Sequence, residues 1–272
     1  MQHRPGLLTI DIGNTRAKFG IFRMDQNGLP DPVRIEARVL DQTRCLADEL
    51  QEWWQMLNTA GPVQAVVAGS DPESRDLLID AWPWAACRPV VVADYRQIPV
   101  TLDVDVPERV GIDRLLNVFA GRRLLASNHA VIVVDSGTAT TVDLMTADQI
   151  FRGGSILPGL RLSACAMHDY TARLPLLHVD DEPSELPAVP GRNTEAAMRA
   201  GLFIGQLGAV RELVSRLAAA AADQFGEKTP PVIVVTGGGG RQLVQHLTGA
   251  IYVDSLALHG LAMLGHASGL ES

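Results

Sequence analysis

The chain has 272 residues, 47% of them hydrophobic and 20% charged, with a net charge of −8, which suits one large domain or two modest ones and argues against a nucleic-acid-binding surface. No apolar run approaches the roughly 20 residues that span a bilayer, and Met1-Gln2-His3-Arg4-Pro5 leads into a strand-like run with no signal-peptide core, so a cytoplasmic protein with no membrane partner is expected. Cys45, Cys87 and Cys165 are far apart and odd in number, which speaks against both a disulfide framework and a zinc site.

A strand is predicted over 7–11, followed after a Gly-Asn-Thr turn by a second over 17–22 and a third over 33–40. Leu46, Leu50, Trp53 and Leu57 recur at three- and four-residue steps and predict a helix over 45–57 with its tryptophans in the core. Then come a strand over 64–68, a helix over 73–81, a short strand over 89–92 and a helix over 109–127. A second cycle opens with strands over 130–135, 140–145 and 150–156. The span 174–192 holds four prolines and reads as a long loop, of the length more often functional than accidental. A long helix over 194–222 follows, then a strand over 232–236, a tetraglycine, a helix over 241–247, a strand over 251–253 and a last helix from 256 to about 268.

The two cycles resemble each other. Leu8-Thr9-Ile10-Asp11-Ile12-Gly13-Asn14 and Val133-Val134-Asp135-Ser136-Gly137-Thr138 are both strands that end in Asp-x-Gly and turn into a second strand. A repeated half predicts two similar α/β domains, 1–127 and 128–272, facing one another across a cleft with the paired turns at its mouth. In such a turn glycine leaves room for backbone N–H groups to approach a phosphate. Asn14, Thr15 and Thr138 add side-chain donors, while Asp11 and Asp135 suit a cation or its water. Thr236-Gly237-Gly238-Gly239-Gly240 joins a strand to a helix and lets a flat ligand lie on backbone. It lies late in the chain and lacks a Rossmann continuation, and no Walker A sequence is present. Two phosphate turns and a late glycine-rich junction match the ATP site of the actin-like kinases, built from two ribonuclease-H-like domains about a nucleotide cleft.

Along nearly its whole length the chain resembles the type III pantothenate kinases. The resemblance is carried by Asp11-Ile12-Gly13-Asn14-Thr15, Gly111-Ile112-Asp113-Arg114, Asp135-Ser136-Gly137-Thr138-Ala139, Gly153-Gly154-Ser155-Ile156-Leu157-Pro158-Gly159-Leu160 and Asn193-Thr194. It implies ATP-dependent phosphorylation of pantothenate, the first step of coenzyme A synthesis, by a homodimer using Mg²⁺-ATP and a potassium or ammonium ion. It further implies that Asp11, Ile12, Gly13, Asn14, Thr15, Arg16, Ala17, Lys18 and Thr138 bind ATP and that Asp135 holds the monovalent cation. Gly111, Ile112, Asp113, Arg114 and Thr194 are then the pantothenate residues, with Asp113 as proton acceptor. Thr194 is expected to cap the long helix, and Gly153-Gly154 and Pro158-Gly159 to shape a wall. Where the family carries Tyr-x-Asn-Pro ahead of its Gly-x-Asp-Arg, this chain has Val104 and Val106, keeping Pro107. Two other readings stay open: a kinase of the same superfamily for a sugar or small acid, and a nucleotide-binding protein without turnover. Asp113 and Asp135 argue against the latter.

Overall fold

The computed structural model describes residues 6–40, 46–55, 64–126, 128–179 and 186–267. In chain order its elements are β1 (Leu7–Ile12), β2 (Arg16–Met24), β3 (Pro30–Val39), α1 (Leu46–Gln55), β4 (Gln64–Gly69), α2 (Pro72–Asp80), β5 (Val90–Val92), β6 (Thr101–Leu102) and α3 (Ile112–Leu125). There follow β7 (Val131–Ser136), β8 (Ala139–Met145), β9 (Ile150–Pro158), α4 (Leu160–Asp169), α5 (Thr194–Asp223), β10 (Val232–Thr236), α6 (Gly240–Val244), β11 (Ile251–Tyr252) and α7 (Leu256–Ala267). Residues 45 and 56–57 at the ends of the first predicted helix, 127 at the predicted domain boundary, 180–185 of the long loop and 268 fall outside the described residues.

By contact the chain divides into two compact units. The first is Met1–Val100, Asp105–Ala120 and Ser255–Ser272; the second is Thr101–Val104 and Gly121–Asp254. The boundary read from sequence at 127/128 treats each half as continuous, whereas the first unit takes back the end of the chain. The physical reason is α7. Leu256 through Gly265 are all buried, and α7 packs on β1, β2, β3 and β4. A helix apolar on every side needs cover all round, and this one finds it on the first sheet and on α3, where a Cβ built on Gly260 would stand 2.8 Å from Leu116 O.

The first sheet runs β3-β2-β1-β4-β5, with β1 antiparallel to β2 and parallel to β4. All six residues of β1 are buried because both its faces are covered. Leu8, Ile10 and Ile12 point into a core with Leu50, Trp53 and Trp54 of α1 and Leu78 of α2. On the opposite face, where Leu7 and Val66 lie, a Cβ built on Gly265 of α7 would stand 3.2 Å from Leu7 and 2.8 Å from Val66. Phe19 and the four tryptophans form a chain of ring contacts, with centroids from 5.3 to 6.3 Å apart.

The second sheet runs β11-β10-β7-β8-β9-β6. Leaving aside β6, which pairs with β9 at its edge, the order and directions repeat those of the first sheet, with β7, β8, β9, β10 and β11 in the places of β1 to β5. Ile132, Val134, Val142 and Leu144 pack against Leu207, Val210 and Val214 of the 30-residue α5. Two elements, β6 and α4, have no counterpart in the sequence reading, and the helix expected over 241–247 is shorter, at Gly240–Val244. Among the described residues no helix is long and apolar enough to cross a membrane.

Candidate active site

The residues singled out from sequence fall into two sets, one in each unit. In the first unit, β1 and β2 are joined through Gly13-Asn14-Thr15, closed by Gly13 N donating to Arg16 O at 2.9 Å. Leu40 N donates to Thr15 O at 3.0 Å and Asp71 N to Ile12 O at 3.3 Å, so the turn is braced from both sides. Asp71 caps α2 through Ser74, accepting from its backbone N at 3.2 Å and its hydroxyl at 2.7 Å. The Ser74 hydroxyl is the main reason its carboxyl lies below the usual range. Asp11 is buried on β1 directly opposite Lys18, whose Nζ lies 3.9 Å from Asp11 Oδ2. A lysine thus offsets this first aspartate from across the hairpin.

Gly111-Ile112-Asp113-Arg114 opens α3 in the same unit, just after a single 3₁₀ turn over Pro107–Arg109. Asp113 lies in the first helical turn, where free N–H groups and the helix dipole favour an anion. Its Oδ1 accepts from Arg114 N at 2.9 Å and lies so close over Gly111 that a Cβ at that position would collide with it. The carboxylate is therefore held by its own helix start. Val104, standing where the family has tyrosine, belongs to the second unit, with its Cγ1 3.7 Å from a Cβ built on Gly153.

In the second unit Asp135 is the next-to-last residue of β7, with Thr141 opposite it on β8 and Thr236 beside it on β10. Neither of these strand neighbours is charged, in contrast to Lys18 opposite Asp11. The turns differ in length too. Ile12 pairs with Ala17 but Ser136 pairs with Thr140, so the second hairpin is one residue tighter, closed by Gly137 N donating to Ala139 O at 3.0 Å. Thr138 is exposed at its tip.

The tetraglycine lies against this same turn. Gly239 N donates to Ser136 O at 3.0 Å. Gly237 has φ of +85°, and a Cβ there would stand 2.5 Å from both Asp135 Oδ1 and Ser136 O, so no other residue fits. The helix it opens, α6, has only five residues and contributes little dipole. Gly159, expected in a wall, instead supports the turn directly. Its N donates to Thr138 O at 3.0 Å, and a Cβ on it would lie 2.6 Å from that carbonyl and collide with Gly137 O.

Thr194 is the first residue of α5, but it is not the cap. Asn193 is, with extended backbone and Oδ1 accepting from Ala196 N at 2.8 Å. Thr194 instead lines an open pocket of about 580 Å³ with Arg173, Pro175, Asn193 and Glu195. Among the described residues no group of three or more His, Cys, Asp or Glu is placed to hold a metal ion. The Asp135 carboxylate, with Ser136 O beside it against Gly237, offers oxygen donors of the kind that a cation takes.

Residues 7–216 match the model of the type III pantothenate kinase family. The type III pantothenate kinase of Dinoroseobacter shibae is 34% identical over 267 residues, covering 95% of this chain and 97% of its own. Among solved structures, a protein described as a Baf family transcriptional activator from Campylobacter jejuni superposes with a TM-score of 0.56 at 19% identity, covering 94% of this chain and 96% of its own. The activator of 2-hydroxyisocaproyl-CoA dehydratase from Clostridium difficile, solved with ADPNP bound, superposes with a TM-score of 0.52 at 13% identity, covering 97% and 95%. At these identities the superpositions speak for the fold, which is that of the actin-like ATPases and sugar kinases.

Proposed function

This chain belongs to the type III pantothenate kinase family, and from that premise we propose how its residues divide the work. The activity is ATP-dependent phosphorylation of pantothenate to 4′-phosphopantothenate, the entry to coenzyme A synthesis. The turn from Asp11 through Lys18 binds ATP phosphates with its backbone N–H groups, and Thr138 contacts ATP with its hydroxyl. Gly111, Ile112, Asp113, Arg114 and Thr194 bind pantothenate. Asp113 accepts the proton of the primary hydroxyl as that oxygen bonds to the γ-phosphorus. The bond from the γ-phosphorus to the bridging oxygen breaks, ADP leaves, and the proton passes from Asp113 to water. Arg114 offers a planar fork to the pantothenate carboxylate. Mg²⁺ travels with ATP and neutralises its phosphates. Asp135 would hold a potassium or ammonium ion, which would supply positive charge to offset that on the transferring group.

The observation that carries this division is the second turn, where Gly237 is pressed against both the Asp135 carboxylate and Ser136 O, so that a carboxylate and a backbone oxygen lie together beside the glycine segment. A homodimer is part of the same reading. Ile156, Leu162, Tyr170, Leu176 and Val189 of the second unit are exposed apolar side chains, with Tyr170 at 88% exposure, and they suit cover by a second copy.

The experiment is ADP release from Mg-ATP by the purified protein, with and without pantothenate, in potassium and in sodium-only buffer. Pantothenate-dependent turnover that potassium stimulates is the expected result. Turnover equal in both buffers would remove the cation from Asp135. A protein that binds ATP yet ignores pantothenate, while phosphorylating a sugar or small acid, would overturn the substrate.

A further inference from the structure

The buried face of α5 includes Met198, Phe203, Leu207, Val210 and Val214, and one polar side chain, Gln206, is set among them at 7% exposure. Its Nε2 donates to Thr140 Oγ1 at 2.5 Å, while its Oε1 is buried with no hydrogen-bond partner. Turning the amide over exchanges the two atoms but leaves one of them unpartnered either way. For stability alone this polar pair is a poor choice, because a leucine at 206 facing a valine at 140 would fill the space with no stranded polar atom.

Gln206 is placed where it bears on chemistry. Thr140 is wholly buried and stands opposite Ser136, the pair that closes the turn carrying Thr138. Ser136 O in turn accepts from Gly239 N at 3.0 Å. A continuous run of groups therefore links the middle of α5 to the second turn and to the glycine segment, all within the second unit.

We propose that Gln206 is a positioning residue for phosphoryl transfer, holding Thr140 and through it the Ser136–Thr138 turn in the shape that receives ATP. The proposal rests on the reading of Thr138 as an ATP contact. Because Thr138 sits at the tip of this turn, a small displacement of β8 misaims its hydroxyl, so the loss falls on ATP and spares pantothenate.

The test is steady-state kinetics and thermal melting of the full chain carrying Gln206→Leu, Gln206→Met, Thr140→Val, the Leu/Val double change, and separately Thr138→Val. KM for ATP is expected to rise about five- to tenfold in Gln206→Leu and in Thr140→Val, and no further in the double variant, because both break one hydrogen bond. KM for pantothenate should stay within about twofold, and the Leu/Val double variant should melt at or above the wild-type temperature, whereas Gln206→Leu alone should melt lower because it strands the Thr140 hydroxyl. A folded Gln206→Leu protein with unchanged KM for ATP overturns the proposal. So does a fall in melting temperature with both KM values raised alike, which marks a purely structural residue. If Gln206→Leu does not fold, Gln206→Met and Thr140→Val are judged by the same criteria. Thr138→Val separates the premises: no effect there removes the ATP reading of the turn, while an effect there but not at Gln206 removes only the positioning role.

Discussion

Asp113 takes its place from its own helix start: Arg114 N–H holds one carboxylate oxygen, and Gly111 leaves the space that oxygen occupies. Asn at this position keeps an oxygen for the Arg114 N–H and loses only the ability to accept a proton. Asp113→Asn should therefore lower kcat about 10²–10⁴-fold, the range for removing a general base, while the melting temperature stays near that of wild type. Full activity in a protein that melts normally would exclude Asp113 as the base. The motif was readable because Gly-x-Asp-Arg is contiguous. What separates Asp11 from Asp135 was not. Their difference lies in the residue opposite, Lys18 against Thr141, and that depends on a turn one residue longer in the first hairpin. Gly159 was legible only as a shape-forming glycine, since the carbonyls it abuts, Gly137 O and Thr138 O, lie about 20 residues away in sequence.

Elements with a strong period or a buried run emerged from the sequence close to their observed bounds, as with Leu7–Ile12 and Thr194–Asp223. The two that did not emerge carry weak signals. Within Leu160–Asp169 only Leu160 and Ala164 are buried, and Thr101–Leu102 is a two-residue strand that exists through pairing with β9. The start of α5 shows another limit. Asn193 and Thr194 are both good caps, and sequence alone does not say which has the extended backbone. The structure assigns the cap to Asn193, which leaves the Thr194 hydroxyl clear of that duty. Asn193→Ala should remove about 0.5–2 kcal/mol of stability, seen as a fall of a few degrees in melting temperature. Because the first turn of α5 then frays beneath Thr194, KM for pantothenate should rise severalfold while KM for ATP stays level. Asn193→Ser should restore both. Equal changes in the two KM values would detach Thr194 from pantothenate.

At the scale of the whole chain the repeat was visible in two short Asp-x-Gly strands, and the matched strand orders of the two sheets extend it to five strands each. The return of the C-terminal helix to the first unit was not visible, because nothing local in Leu256–Ala267 says which apolar face it meets. Its consequence is large. Leu256, Leu258, Leu261, Met263 and Leu264 are all buried. At about 1.5–3 kcal/mol for each large apolar side chain they contribute roughly 8–15 kcal/mol. That is comparable to the entire net stability of a typical domain, about 5–15 kcal/mol. A chain ended at Asp254 should therefore be unable to keep the first unit folded. The four tryptophans, Trp53, Trp54, Trp82 and Trp84, all lie in that unit, so their fluorescence reports on it alone. The truncated chain should show emission shifted to the red of the full-length protein and rapid proteolysis within residues 6–120. Emission and proteolysis unchanged from the full chain would mean that the first unit stands without α7, and a continuous first domain ending near 127 would then be the better description.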